Sequence, residues 1–106
     1  MVTFPVDDLI NRIRSVVEPE AIYLFGSAAK GEDQIDSDLD ICIIVPDSRN
    51  AREISKKLYK AMPGFGRPVD LVIVTLSRWI EHKNSIGMIY YTIDREKVPL
   101  YAALLC

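Results

Sequence analysis

What this chain can fold into is limited most by one stretch, the apolar run Leu39 to Val45, which is interrupted only by Asp40 and opened by Asp38. It alternates, then runs apolar through Ile41, Ile43, Ile44 and Val45 until Pro46 stops it, which is the pattern of a strand entering a core. Side chains alternate faces along a strand, so Asp38 and Asp40 must point the same way and sit side by side at its start. Two adjacent carboxylates repel and raise each other's pKa unless a cation compensates them. All-oxygen ligands of this kind suit Mg²⁺, which takes one or two carboxylates together with substrate phosphates and water. An isolated pair also arises at an ordinary solvated strand end, with Ser37 and Asp38 shaping a turn, so the pair needs support from elsewhere.

The rest of the chain supplies the partners of that strand. Val6 to Val17 places Leu9, Ile10, Ile13, Val16 and Val17 at helical spacing, with Asp7 and Asp8 near the start and Pro19 ending it. Ala21 to Phe25 reads as a buried strand closed by Gly26-Ser27, and residues 28–37 as a loop or a single helical turn. Ser48 to Met62 returns to helical period through Ala51, Ile54, Leu58 and Ala61, and the Pro63-Gly64 and Gly66-Arg67-Pro68 segments break it. Val69 to Leu76 is a third strand. Ser77 is expected to cap a helix carrying Trp79 and Ile80, and a last helix is expected to set Ile86, Ile89, Tyr90 and Ile93 on one side. Val98 to Leu105 reads as an edge strand or a docked end. The expected fold class is α/β (α+β): a small mixed or antiparallel sheet with helices packed on it, forming a single domain over residues 1–106.

Composition excludes several alternatives. With 49% apolar and 26% charged residues the chain is ordinary globular material. A formal charge of −2 argues against an extended nucleic-acid surface. The acidic start and the lack of a long apolar stretch argue against a signal peptide or a membrane span, so a cytoplasmic setting is expected. The two cysteines, Cys42 and Cys106, make no disulfide framework and read as a packed small hydrophobe and a chain end.

Two further features join the carboxylate pair. Gly26-Ser27 directly follows a strand, where Gly lets backbone approach a ligand and the Ser hydroxyl and following amides can donate to phosphate oxygens. A plain strand-to-loop turn uses the same residues. Asp70 lies in the otherwise apolar Val69 to Val74 run, where a carboxylate is expensive to bury alone. If that strand pairs beside the Asp38 to Val45 strand, three carboxylates cluster, enough for two metal ions that clamp the attacking and leaving oxygens of an in-line displacement. His82, between Glu81 and Lys83, is expected at the surface, as are Arg52, Lys56, Lys57 and Lys60 on a solvated helix face. Trp79, Tyr90 and Tyr91 read as core or partner surface, and Tyr23 and Tyr101 as packed.

Phe25-Gly26-Ser27, then ten residues, then Asp38-Leu39-Asp40-Ile41 resembles the signature of the DNA polymerase beta-like nucleotidyltransferase superfamily. Gly26-Ser27-Ala28-Ala29-Lys30-Gly31 followed by Ser37-Asp38-Leu39-Asp40-Ile41 is similar to the minimal nucleotidyltransferases (MNT proteins), in which a third Asp on a later strand matches Asp70. Ile86 to Tyr91 and Val98 to Tyr101 look like that family's C-terminal helix and closing strand. The resemblance implies a polymerase beta-like fold, Gly26 and Ser27 on the triphosphate, and Asp38, Asp40 and Asp70 as metal ligands. It also implies that Asp70 helps deprotonate the acceptor. Lys30 stands where the family often has Arg, so a charge that could reach phosphate is kept but the bidentate fork is not.

The reaction so implied moves AMP from ATP to a hydroxyl, with Mg²⁺ as cofactor. MNT proteins bind helical HEPN partners as the antitoxin half of a pair. The resemblance therefore implies that this chain neutralises a HEPN toxin by adenylylating a tyrosine, by binding it, or both, in a homo- or hetero-oligomer. The stretch from Ile86 to Ile93 and the tail to Leu105 are candidate contacts. Two other readings are a non-catalytic nucleotide-binding antitoxin and an adenylyltransferase for a small molecule or RNA. The intact Asp38, Asp40 and Asp70 count against the first. The lack of room for an acceptor-binding domain counts against the second.

Overall fold

A computed structural model of the chain describes residues 4–31 and 38–102. The turn expected at Ser37 and the end of the expected tail, residues 103–106, lie outside the described residues. The elements run α1 (Val6–Arg14), β1 (Ala21–Phe25), α2 (Gly26–Ala29), β2 (Leu39–Val45), α3 (Ala51–Lys60), β3 (Val69–Thr75), α4 (Leu76–His82), α5 (Ile89–Glu96) and β4 (Val98–Ala102).

The four strands form one mixed sheet in the order β3-β2-β1-β4. Neighbours β1 and β2 are antiparallel, as are β1 and β4, whereas β2 and β3 are parallel and joined by the α3 crossover. Val98–Ala102, the described part of the expected C-terminal segment, is therefore an edge strand. Strand alternation divides the sheet into two faces. On the first, Ile22, Leu24, Leu39, Ile41, Ile43, Val45 and Leu71 pack with Leu9 and Ile13 of α1 and Ile54 and Leu58 of α3. On the second, Ala21, Cys42, Ile44 and Val74 pack with Trp79 of α4 and Ile93 of α5. Each fully buried Leu or Ile contributes about 1.5–3 kcal/mol relative to an exposed one.

Local chemistry fixes the helix ends. In α1 the acidic residues Asp7 and Asp8 occupy the first turn and Arg12 and Arg14 the last, each matching the helix dipole. The Arg12 guanidinium bonds Asp8 at 3.0 Å and also donates to the carbonyls of Ala61 and Pro63, tying α1 to the end of α3. Asn50 caps α3 by accepting from the Glu53 amide at 3.1 Å. The cap of α4 differs from the sequence expectation. Ser77 lies inside the helix, and its amide donates to Asp47 Oδ1 at 2.9 Å, so a carboxylate from the loop after β2 does the capping.

The last helix is shorter than its periodicity suggests. Ile86 falls in the turn before α5 and is 83% exposed, while Tyr90 and Ile93 face the sheet. His82 is half-buried rather than at the surface, beside the Tyr90 ring at a centroid distance of 6.3 Å. Trp79 is core, between Tyr23 and Tyr90. At the β3 edge of the sheet the Leu71 amide donates to the Tyr59 hydroxyl at 3.0 Å. No helix among the described residues is long and apolar enough to cross a membrane.

Candidate active site

Parallel pairing of β2 with β3 places Asp40 directly opposite Asp70. Parallel strands begin at the same end of a sheet, so two carboxylates near the starts of two strands are brought together although α3 separates them in sequence. Both belong to the second face, the one that carries Cys42, Ile44 and Val74 farther along the same strands. Asp38, just ahead of β2, is exposed at the same end. Asp70 is exposed as well, so the cost expected for burying it is not incurred. Asp40 is the half-buried member of the group. Its carboxyl is held above the usual carboxylate range, first by burial and then by the negative charges of Asp70, Asp38 and Glu96.

Gly26 is bound to this arrangement by geometry. Phe25 pairs with Asp40 across β1 and β2, and the chain turns immediately afterwards into α2. Gly26 has φ +73°, a left-handed conformation that favours glycine. A Cβ at this position would lie 2.2 Å from Asp40 Oδ2. The glycine thus permits both the turn and the close approach of backbone to the Asp40 carboxylate. Ser27 follows in the first turn of α2, half-buried, and Lys30 closes it.

One residue of this site was not anticipated. Glu96, the last residue of α5, accepts from the Gly26 amide at 3.3 Å through Oε1, and its Oε2 lies 3.0 Å from Lys30 Nζ. The sequence carried a signal for it: a carboxylate at the end of an amphipathic helix sits at the negative end of the helix dipole, where a cation is preferred. Lys30 is thereby brought to the Gly26 end of the sheet by its ion pair with Glu96.

The donor set is all oxygen, and its surplus of negative charge around Asp40 suits a hard divalent cation such as Mg²⁺. Among the described residues no group of three His, Cys, Asp or Glu side chains stands close enough to hold a metal ion as it is. Cys42, farther along β2, is fully buried and its thiol is pushed up to about 12 by burial, so it takes no part in the chemistry.

A strand-turn-helix with a close-approach glycine thus stands beside paired carboxylates on parallel strands, at one end of the sheet. The sequence profile of the nucleotidyltransferase domain family matches residues 6–94, and the chain belongs to that family. A comparison with curated proteins gives no match. Among solved structures, the fold is similar to a toxin–antitoxin crystallised with AMP-PNP, at 23% identity and a TM-score of 0.60, covering 92% of this chain and 73% of that one. It is also similar to a mutant of the MntA-HpeT toxin–antitoxin, at 20% identity and a TM-score of 0.60, covering 93% and 74%. A third is the complex of a tri-AMPylated Shewanella oneidensis HEPN toxin with its MNT antitoxin, at 21% identity and a TM-score of 0.51, covering 92% and 70%. These likenesses establish the shared fold.

Proposed function

We propose that the chain is an MNT-type antitoxin that transfers AMP from ATP to a tyrosine hydroxyl of a HEPN-type partner. The observation that carries this reading is the opposition of Asp40 and Asp70 in parallel register, with Asp38 at the same end and Gly26 packed on Asp40. In support, a solved structure of the same fold is a complex of an MNT antitoxin with an AMPylated HEPN toxin.

Each residue then has a task. Gly26 and Ser27 bring backbone amides and a hydroxyl to the triphosphate, and Lys30 supplies a positive charge to it. Asp38, Asp40 and Asp70 would hold Mg²⁺, which when bound neutralises charge on the phosphoryl oxygens. Exposed Asp70 stands where an incoming hydroxyl can reach it and accepts its proton as the oxygen attacks the α-phosphate. Pyrophosphate leaves from the Gly26 side. The chain's contribution is chiefly to orient both reactants for in-line displacement.

The partner would be met on the outer surface of α4 and α5. Ile80 on α4, Ile86 in the turn between the two helices and Ile89 at the start of α5 are 57%, 83% and 51% exposed, apolar side chains left for a partner to cover. Incubating a purified HEPN partner with this chain, ATP and Mg²⁺ should add mass to the partner in units of AMP. The Asp38→Asn variant should slow that addition by roughly 10²- to 10³-fold, the scale of losing one preorganised electrostatic contact. A partner that is held tightly yet gains no mass overturns the catalytic reading and leaves inhibition by complex formation.

A further inference from the structure

Glu96 is placed against three electrostatic preferences at once. It ends α5, where the helix dipole disfavours an anion. Its charge adds to those of Asp70 and Asp38 around Asp40. Its side chain is only 22% exposed, so little solvent screens it. What holds it there is the Gly26 amide and the Lys30 ammonium, one to each carboxylate oxygen. An amide donor and a cation converging on two oxygens of one anion is also how a phosphate is held.

We propose that Glu96 is an internal gate on the phosphate end of the site: its carboxylate occupies Gly26 and Lys30 and must withdraw before a polyphosphate can take them. The proposal rests on the nucleotide reading above and adds to it a residue that regulates access. The ion pair is suited to opening. Lys30 is 52% exposed, and a pair this open to solvent is weak. A triphosphate brings more negative charge than one carboxylate, so it competes well for both donors. Once displaced, Glu96 either turns to solvent or adds its repulsion to the acidic group, which favours nucleotide arriving together with Mg²⁺ over nucleotide alone. The gate thus biases the site against metal-free nucleotide.

Calorimetry with ATP and with inorganic tripolyphosphate, each in the presence of EDTA, tests this. Glu96→Gln keeps the shape and removes the charge, and it should tighten both ligands about tenfold relative to the unaltered chain. Glu96→Asp keeps the charge but draws it back from Gly26 and Lys30, and should tighten them by a smaller factor. Added Mg²⁺ should shrink the difference between the Glu96→Gln variant and the unaltered chain. A carboxylate that merely tethers α5 to α2 would instead lower the melting temperature on substitution and leave both affinities unchanged or weaker. That result, from whichever of the two variants remains folded, overturns the gate while ATP binding by the unaltered chain stands. Failure of every form to bind ATP or tripolyphosphate, with or without Mg²⁺, overturns the nucleotide reading and the gate together.

Discussion

The two faces of the sheet are made by the same strands and finished in different ways. The first is closed by α1 and α3, and its Ile and Leu side chains are sealed from end to end of β2. The second is closed only over its far half, where Trp79 and Ile93 cover Cys42, Ile44 and Val74. Its near half carries Asp40 and Asp70, with Gly26 against Asp40. The difference teaches that one strand can be sealed along one face and left partly open along the other. Leu39 and Ile41 anchor one side of β2 while Asp40, between them, serves the other.

Neighbours on one strand measure that difference. Ile43→Ala on the sealed face should cost about 2–5 kcal/mol, whereas Cys42→Ala on the other face should cost about 1 kcal/mol. Urea denaturation of both variants gives the comparison, and equal losses would break it. Next in size is Gly26→Ala, which forces a Cβ into the Asp40 carboxylate at an unfavourable φ. We expect a loss of about 1–3 kcal/mol, with nucleotide affinity falling further than stability alone would explain.

Much of this arrangement was legible beforehand, because it follows from the two-residue repeat of a strand. The Asp38 and Asp40 pair, the strand ahead of Gly26 and the apolar run around Asp70 needed no tertiary knowledge. What remained hidden depends on contacts between distant segments. The Asp47 cap of α4 comes from a loop on another strand, so Ser77, the local candidate, was preferred on sequence grounds. Ile86 keeps helical spacing with Ile89 and Ile93, but Gly87 at φ +96° separates it from α5. Glu96 offered only the signal of an anion at a helix C-terminus, and its partners stay hidden because it reaches Gly26 and Lys30 across the fold. Likewise, the apolar run around Asp70 implies a burial cost because the sequence does not say which end of β3 is open to solvent.

A subtler contrast concerns pH. Burial and neighbouring charge raise the Asp40 carboxyl above its value in the unfolded chain. A raised acid favours the folded state when protonated, so its contribution is fully present below the unfolded value and is lost as pH rises through the folded one. Asp40→Asn should therefore flatten the acid-side pH dependence of the melting temperature and leave the variant more stable than the unaltered chain at neutral pH. Adding Mg²⁺ should raise the melting temperature of the unaltered chain but not that of the variant. An unchanged pH profile in the variant would count against the acidic half being a site of stored repulsion. The smallest effect on the fold is expected at Ile86→Ser, within about 0.5 kcal/mol because the side chain is already in solvent. Its effect should appear instead as weaker capture of a HEPN partner in a pull-down.

The parallel pairing of β2 and β3 has a consequence for how such a chain can vary. The opposition of Asp40 and Asp70 is set by ladder register between two strands, and the span between them enters only as a connector. That connector turns at Gly66, which is exposed and has open space around it. Residues could be inserted there, or the crossover helix lengthened by a turn, and the two carboxylates would still meet. Length in this part of the molecule is therefore free to change without parting the two carboxylates.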